Sequence, residues 1–126
     1  MQDEPRPEEI LAVAAAFLRA PVTPEGAAHA AFIAKVTANA LDIARRDLEL
    51  SPLEDAAELA RLRTLLSIDG DLASLNRELA MRIRDGRIDL STPGLTKHLW
   101  VTTLAKLAVD QPTYASYRAE LAARGA

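Results

Sequence analysis

Residues 71–86 read DLASLNRELAMRIRDG, and this stretch decides the fold class. Its large apolar side chains recur every three or four residues: Leu72, Leu75, Leu79 and Ile83. That spacing places them on one face of an α-helix. Asp71 stands before the first of them, where its carboxylate can cap the helix, and Gly86 follows the last turn, where a glycine ends it. The stretch therefore predicts an amphipathic helix that packs its apolar face against a neighbour.

Similar signals divide the rest of the chain into helix-sized segments. Four prolines stand where the first turn of a helix tolerates them: Pro7, Pro24, Pro52 and Pro93. Between the breaks no run alternates polar and β-branched residues as a strand does. We therefore predict an all-α fold, a compact bundle of about six helices in which short loops make sequential helices antiparallel neighbours. The helix with Trp100 is predicted to be central, because apolar residues cover most of its circumference.

Composition narrows the class of protein. The chain has 126 residues, 49% of them hydrophobic, which predicts one domain over residues 1–126 with frayed ends at 1–6 and 124–126. It has no cysteine, which excludes disulfides, thiol catalysis and zinc–thiolate sites. No apolar run approaches the roughly 18 residues of a membrane span. The start, Met-Gln-Asp-Glu, is acidic where an export signal is basic, so we expect a cytoplasmic protein with no membrane contact.

Motifs for cofactors, metals and nucleic acids are missing. The chain contains neither the glycine-rich phosphate loops nor the HExxH and GxSxG signatures, so we expect no cofactor and no metal. Asp69 and Asp71 fall short of a calcium loop, which needs more oxygen ligands at set spacing. An arginine stripe has no aromatic side chains interleaved for stacking, and acidic residues dilute it: Arg61, Arg77, Arg84 and Arg87. We therefore expect no nucleic-acid partner.

One candidate polar cluster lies on the helix predicted over residues 24–49. Asn39, Asp42 and Arg46 are spaced for one helix face, whereas Asp47 and His29 project into the apolar arc. These side chains could face a groove in which burial shifts a carboxylate pKa. They could instead form a buried hydrogen-bonded pair between two helices, which is a structural role and the one that we favour. The sequence leaves both interpretations open.

Two further groups lie near the C-terminus. Lys97, His98 and Lys106 belong to the helix predicted over residues 93–109 and could hold an anion such as a phosphate. Alternatively, the Lys97 stem snorkels along the surface and His98 lies at the rim. Tyr114 and Tyr117 suit either a protein interface or the sealed end of a bundle.

Several short segments carry a family resemblance: NALDI at 39–43, RDLEL at 46–50, DL at 71–72, TPGL at 92–95, and LAKLAVDQP at 104–112 with Tyr114 and Tyr117. Together they resemble the bacterial DUF6285 family, a domain of unknown function, from about Arg6 to Arg118. The resemblance implies an accessory role beside acyl-CoA dehydrogenases and kinases similar to aminoglycoside phosphotransferases. It assigns no catalytic residue.

Two functional hypotheses follow. The first is a non-catalytic accessory or interaction domain whose protein partner is a second copy, giving a homodimer, or a neighbouring-gene enzyme. The second is a binder of, or an enzyme acting on, an acyl-CoA or phosphorylated ligand, with its pocket between the helices predicted over residues 24–49 and 93–109. In the second hypothesis, Asp42, Asp47 or His29 supplies the acid–base group and Lys97 or Lys106 anchors the anion. The missing catalytic motifs favour the first.

Overall fold

The computed structural model describes residues 4–20, 23 and 26–125, and in that part of the chain the regular elements are all helices. They are α1 (Pro7–Arg19), α2 (Ala27–Leu66), α3 (Leu72–Arg84), α4 (Leu95–Asp110) and α5 (Ala115–Gly125). The all-α prediction is confirmed, with five helices rather than about six. None of the described helices combines the length and the apolar character needed to cross a bilayer.

Helix α2 accounts for the difference in number. Pro52 lies inside it, so the prediction that Ser51 and Pro52 begin a separate helix is wrong. A proline within a helix removes one backbone hydrogen bond and crowds the preceding turn, at a cost of about 3 kcal/mol. Leucine and glutamate on both sides of Pro52 have high helix propensity, and the helix continues through the proline.

The predicted helix starts have different outcomes. Pro7 opens α1, and Asp71 caps α3 by accepting hydrogen bonds from the Ser74 amide and hydroxyl, both at 2.9 Å. Pro93 instead belongs to a turn, because α4 begins two residues later, at Leu95. Its N-cap is Gly94, whose φ of 90° is a left-handed conformation that favours glycine. Pro24 lies outside the described residues.

Contacts divide the chain into two compact units that meet in sequence between Leu50 and Ser51. The first unit contains α1 and the first part of α2, and the buried apolar side chains described there are Ala14 and Ala44. The second unit contains the rest of α2 with α3, α4 and α5. Its core is a cluster of large side chains: Leu62, Leu66, Leu75, Leu79, Ile88 and Leu95. A single domain over the whole chain stays a prediction.

Helix α4 is not enclosed on all sides. Its buried residues are Leu95, His98 and Val109, whereas Trp100 is 48% exposed. The indole Nε1 of Trp100 donates a hydrogen bond to Glu120 of α5 at 3.2 Å. The prediction of a central helix around Trp100 is therefore wrong. The prediction depended on the number of apolar residues around the helix, but some of these residues, such as Trp100, lie outside the core.

Candidate functional site

A cleft of about 430 Å³ lies within the second unit, between the later turns of α2 and the beginning of α4. Its volume is within the range of small-molecule sites, roughly 300–1,000 Å³. The residues that line it come from 60–65 and 93–98: Ala60, Arg61, Thr64, Leu65, Pro93, Gly94, Lys97 and His98. The described lining residues therefore come from two short stretches of the chain.

Helix geometry explains why these residues share one wall. Ala60 and Thr64 are four residues apart on α2, as are Arg61 and Leu65, and this spacing puts each pair on the same face. The left-handed turn at Gly94 directs the chain into α4, whose first turn carries Lys97. His98 follows at the end of that turn, with its backbone amide bonded to the carbonyl of Gly94 at 2.9 Å.

His98 is the buried polar group of the cleft wall. Its side chain is 3% exposed, and its Nδ1 atom has no hydrogen-bond partner among the described residues. Burial lowers the pKa of His98, and the nearby Arg61 guanidinium lowers it further, while Glu58 acts in the opposite direction. We therefore assign a neutral imidazole near pH 7, with one ring nitrogen as donor and the other as acceptor.

Arg61 brings a permanent positive charge to the same wall. One of its terminal nitrogens, Nη2, donates to the Thr102 hydroxyl on α4 at 3.3 Å, which links the two helices. Its Nε atom is buried and has no acceptor in the described part of the chain. A buried donor without an acceptor costs about 1–3 kcal/mol. This atom therefore needs a partner that the described residues do not supply.

Glu58 lies one turn before Arg61 and is 3% exposed. The amide of Asn76 on α3 donates to its Oε1 at 2.7 Å and also to the backbone carbonyl of Leu72 at 3.2 Å. Burial raises the pKa of Glu58, but opposing contacts, the hydrogen bond from Asn76 among them, leave that pKa below its usual value. This carboxylate connects α2 to α3 and places one negative charge beside His98.

The first predicted cluster lies outside this cleft. His29, Asn39 and Asp42 are exposed on α2, and Asp42 pairs with Arg45 at 3.8 Å. Arg46 is half-buried, and Asp47 is buried, which agrees with its position in the apolar arc. The lining residues on α2 are 60–65 rather than residues of the helix predicted over 24–49. A functional role for the first cluster stays a prediction.

The second predicted group is only partly brought together. Lys97 and His98 both line the cleft, while the half-buried Lys106 is eight residues further along α4, about 12 Å of helix, and does not. The interpretation of His98 as a rim or surface residue is wrong, because Glu58 and Arg61 of α2 lie beside it and the side chain is buried. Its role as an anion anchor stays a prediction.

Sequence reasoning overlooked Glu58 and assigned Arg61 to a surface stripe. A signal for Glu58 was present: it precedes Leu62 by four residues and Leu66 by eight, so the carboxylate shares the face that carries those leucines. Both leucines are buried, and so is Glu58. A carboxylate in register with core leucines is a useful marker of a buried polar site.

Tyr114 and Tyr117 have different environments. Tyr117 is buried in the second unit, where it lines a smaller cavity of about 230 Å³ with residues of α4 and α5. Tyr114 is half-exposed. Their role at an interface stays a prediction. Nowhere in the described ranges do three or more His, Asp or Glu side chains come together in a way that could hold a metal ion.

Comparison with known proteins adds the family. Residues 24–114 match a family described as a domain of unknown function, DUF6285. This region includes α2, α3 and α4 and the described residues that line the cleft. No curated protein and no solved structure matches the chain. The family match covers well over half of the sequence, and the chain belongs to the DUF6285 family.

Proposed function

We propose that the second unit binds a small anionic ligand in the cleft between α2 and α4 and performs no chemistry on it. The observation that carries this proposal is the pair of buried polar atoms in one wall, Arg61 Nε and His98 Nδ1, that have no partner among the described residues. Buried polar groups in native proteins nearly always have a hydrogen-bond partner. A ligand oxygen that accepts from Arg61 and contacts His98 would satisfy both.

The charge of the wall favours an anion. Arg61 and Lys97 contribute two positive charges, the neighbouring Glu58 contributes one negative charge, and His98 is neutral. The cleft also lies at the N-terminus of the 16-residue α4, where the helix dipole adds partial positive charge. Each contribution alone is modest, and together they give the cleft a positive potential.

The residues around the cleft support binding rather than catalysis. Its lining, as far as the structure describes it, has no carboxylate, serine or cysteine. The hydroxyl of Thr64 donates to the backbone carbonyl of Ala60 at 3.1 Å and is therefore engaged within its own helix. A ligand in the cleft would meet donors and apolar surface but, among the described lining residues, no thiol, carboxylate or unengaged hydroxyl that could act as a nucleophile.

Thermal unfolding with a panel of anions tests the proposal. The panel contains orthophosphate, hexanoate, nucleotides, sugar phosphates and acyl-CoAs. A ligand present at 100 times its Kd should stabilise the protein by about 2.7 kcal/mol. We expect at least one anion to do so, and we expect Arg61→Met to abolish the effect. Arg77→Met, which removes an exposed arginine from α3, is the matched control. Equal stabilisation of all three proteins, or of none, would contradict the proposal.

A second candidate is the accessory role, supported by the surface of the first unit. Large apolar side chains are exposed there: Val13, Leu18, Phe32, Val36 and Leu48. Phe32 and Val36 are one turn apart on α2, and exposed apolar groups of this kind often mark a protein contact. The partner in this proposal is the acyl-CoA dehydrogenase or the phosphotransferase-like kinase of a neighbouring gene, in the cytoplasm.

Co-purification with each enzyme tests the accessory role. We expect a stable complex with one of them, and we expect Phe32→Ser combined with Val36→Ser to dissociate it. Leu53→Ser, which changes an exposed leucine of the second unit, is the control. Absence of a complex with either enzyme, or a complex that the double variant leaves intact, would contradict the role.

A further inference from the structure

The first part of α2 carries a heptad pattern of side chains. Its members are separated alternately by four and three residues: Phe32, Val36, Asn39, Ile43, Arg46 and Leu50. This spacing is typical of one α-helix that packs lengthwise along another. We infer that this heptad stripe pairs with the same stripe of a second copy, so that the chain forms an antiparallel homodimer through α2. The inference does not depend on the cleft of the second unit.

The heptad stripe is open to solvent. Phe32 is 63% exposed, Val36 50% and Leu50 39%, although all three side chains are apolar. Ala44 lies about 100° further around the helix than Ile43 and is fully buried, so the core of the first unit uses a neighbouring face of α2. The stripe is therefore apolar surface that the described part of the chain leaves uncovered.

The repeat indicates the shape of the partner that covers the stripe. A 3.5-residue repeat drifts slowly around a straight helix, and two helices that both carry it stay in contact by winding around each other. Residues 32–50 follow the repeat over about 27 Å of helix. A single helix pair of that length buries less than the roughly 800 Å² per partner of a standard interface. We therefore expect reversible dimerisation with a Kd in the micromolar range.

The polar members of the stripe favour the antiparallel direction. The two-fold axis of an antiparallel pair would pass Ile43. Asn39 of one copy then lies level with Arg46 of the second copy to within one residue, about 1.5 Å of helix, and its side-chain carbonyl can accept from the guanidinium. The five N–H donors of a guanidinium leave room for this bond beside the interaction that Arg46 already has. Val36 lies level with Leu50 of the second copy, so apolar side chains meet apolar ones.

The charges beside the stripe also suit an antiparallel pair. Lys35 and Glu49 are exposed on one flank of α2, and the pair brings Lys35 of each copy to within about two residues of the level of Glu49 in the other. Asp42 approaches its own counterpart near the axis, where Arg45, 3.8 Å from it, offsets the repulsion. A parallel pair would instead place Arg46 beside Arg46 of the second copy, a contact between like charges.

Cysteine cross-linking tests the direction of the pair, and the parent chain has no cysteine that could interfere. A disulfide needs Cα atoms within about 7 Å. We expect Ile43→Cys to form a disulfide-linked dimer under mild oxidation, because this position meets its counterpart at the axis. Val36→Cys alone should not, because its two copies lie about 21 Å apart along antiparallel helices. An equal mixture of Val36→Cys and Leu50→Cys should cross-link, and Leu90→Cys, at a position 81% exposed in the second unit, gives the collisional background.

Sedimentation velocity tests whether the pair forms and which charges hold it. We expect the parent chain to change from monomer to dimer as its concentration rises from about 1 µM to about 0.5 mM. Lys35→Glu should weaken dimerisation about tenfold, because two attractive contacts become repulsive. Adding Glu49→Lys to that variant restores opposite charges and should recover most of the parent affinity. Both positions are exposed, and circular dichroism shows whether each variant is folded.

Four results would overturn the inference. They are a chain that stays monomeric at every concentration, disulfide formation by Val36→Cys as readily as by Ile43→Cys, a double charge reversal that dimerises no better than Lys35→Glu, and an enzyme of the accessory role that binds a monomer through this stripe. The second of these would indicate a parallel pair. None of the four changes the expectation for the anion-binding cleft of the second unit.

Discussion

The two units of this chain use helices in different ways. In the second unit, large side chains such as Leu62, Leu75 and Leu79 form a continuous buried cluster. In the first unit, the buried apolar residues described are Ala14 and Ala44, and large side chains such as Phe32 and Leu48 are exposed. In both units, the described elements are α-helices. The same secondary structure therefore has different physical support in the two units.

The difference shows that helix propensity and core formation are separate properties of a sequence. Alanine has the highest helix propensity, so an alanine-rich segment forms a helix without burying much apolar surface. Burial contributes roughly 25 cal/mol for each Å² of apolar surface, which favours leucine over alanine as a source of stability. The second unit, which has the larger core, is also the one that contains the cleft with buried polar atoms. A packed core can hold such groups in fixed positions.

Truncating a leucine in each unit should give the largest contrast. Leu75→Ala removes a side chain that is 2% exposed, and we expect it to cost about 2–5 kcal/mol in free energy of unfolding. Leu48→Ala makes the same chemical change at a position 60% exposed, and we expect an effect within about 0.5 kcal/mol. Urea unfolding measures both. Equal losses would contradict the contrast between the units.

Removing an asparagine from each unit should give the next largest effect. Asn76→Ala deletes the amide that donates to the buried Glu58 at 2.7 Å, and we expect a loss of about 1–3 kcal/mol. Asn39→Ala removes an exposed amide of the first unit and serves as the matched control. Urea unfolding at pH 7 compares the two. If both variants unfold at the parent midpoint, Asn76 does not support Glu58.

Lowering the pH should destabilise the protein through the buried His98. Because burial and Arg61 lower the pKa of His98 in the folded protein, the unfolded chain binds a proton at His98 more readily. Stability contributed by neutral His98 is therefore complete above the unfolded pKa of about 6.5 and is lost as the pH falls below it. We expect the melting temperature of the parent protein to fall more between pH 7.5 and 5 than that of His98→Asn.

The exposed His29 of the first unit provides the control for that experiment, as His29→Asn. Melting curves at half-unit intervals of pH would follow all three proteins. A parent protein and a His98→Asn variant with parallel pH profiles would show that His98 is not held neutral by its surroundings.

Two glutamate–arginine pairs with four-residue spacing should give the smallest contrast. Glu78 and Arg82 of α3 lie 2.6 Å apart and are mostly buried, and Arg82 also donates to the carbonyl of Leu66. Arg45 and Glu49 of α2 lie 2.8 Å apart and are exposed. We expect Glu78→Gln to cost about 1 kcal/mol and Glu49→Gln about 0.3–0.5 kcal/mol. Added salt should weaken the exposed Arg45–Glu49 pair more than the Glu78–Arg82 pair. A larger loss from Glu49→Gln than from Glu78→Gln would contradict the burial of the Glu78–Arg82 pair.

The sequence predicts those features of the fold that depend on local signals. The leucine stripe and the Asp71 cap define α3 correctly because both act within a few residues. Pro52 leads to a wrong prediction for the same reason, because serine followed by proline resembles the start of a helix. Only the strong helix formers on both sides of Pro52 indicate that α2 continues through it.

The candidate site is less accessible to sequence reasoning. Lys97 and His98 are visible as cations near a helix start, but the burial of His98 depends on Glu58 and Arg61, which are about forty residues away in sequence. In the sequence, Arg61 looks like one of several arginines on a surface stripe. Its contact with Thr102 of α4 is visible only in the structure. Periodicity identifies the face of a helix that can be buried and does not identify the helix that buries it.

The most direct test of the anion-binding cleft observes its two polar groups during a titration. Nitrogen-15 NMR of the labelled protein resolves arginine Nε–H groups and histidine rings, and hexanoate is the titrant. We expect the signals of Arg61 and His98 to shift and saturate with one common Kd, while those of Arg45 and His29 in the first unit stay in place. Signals of Arg61 and His98 that do not respond, or shifts confined to the first unit, would contradict a ligand site between α2 and α4.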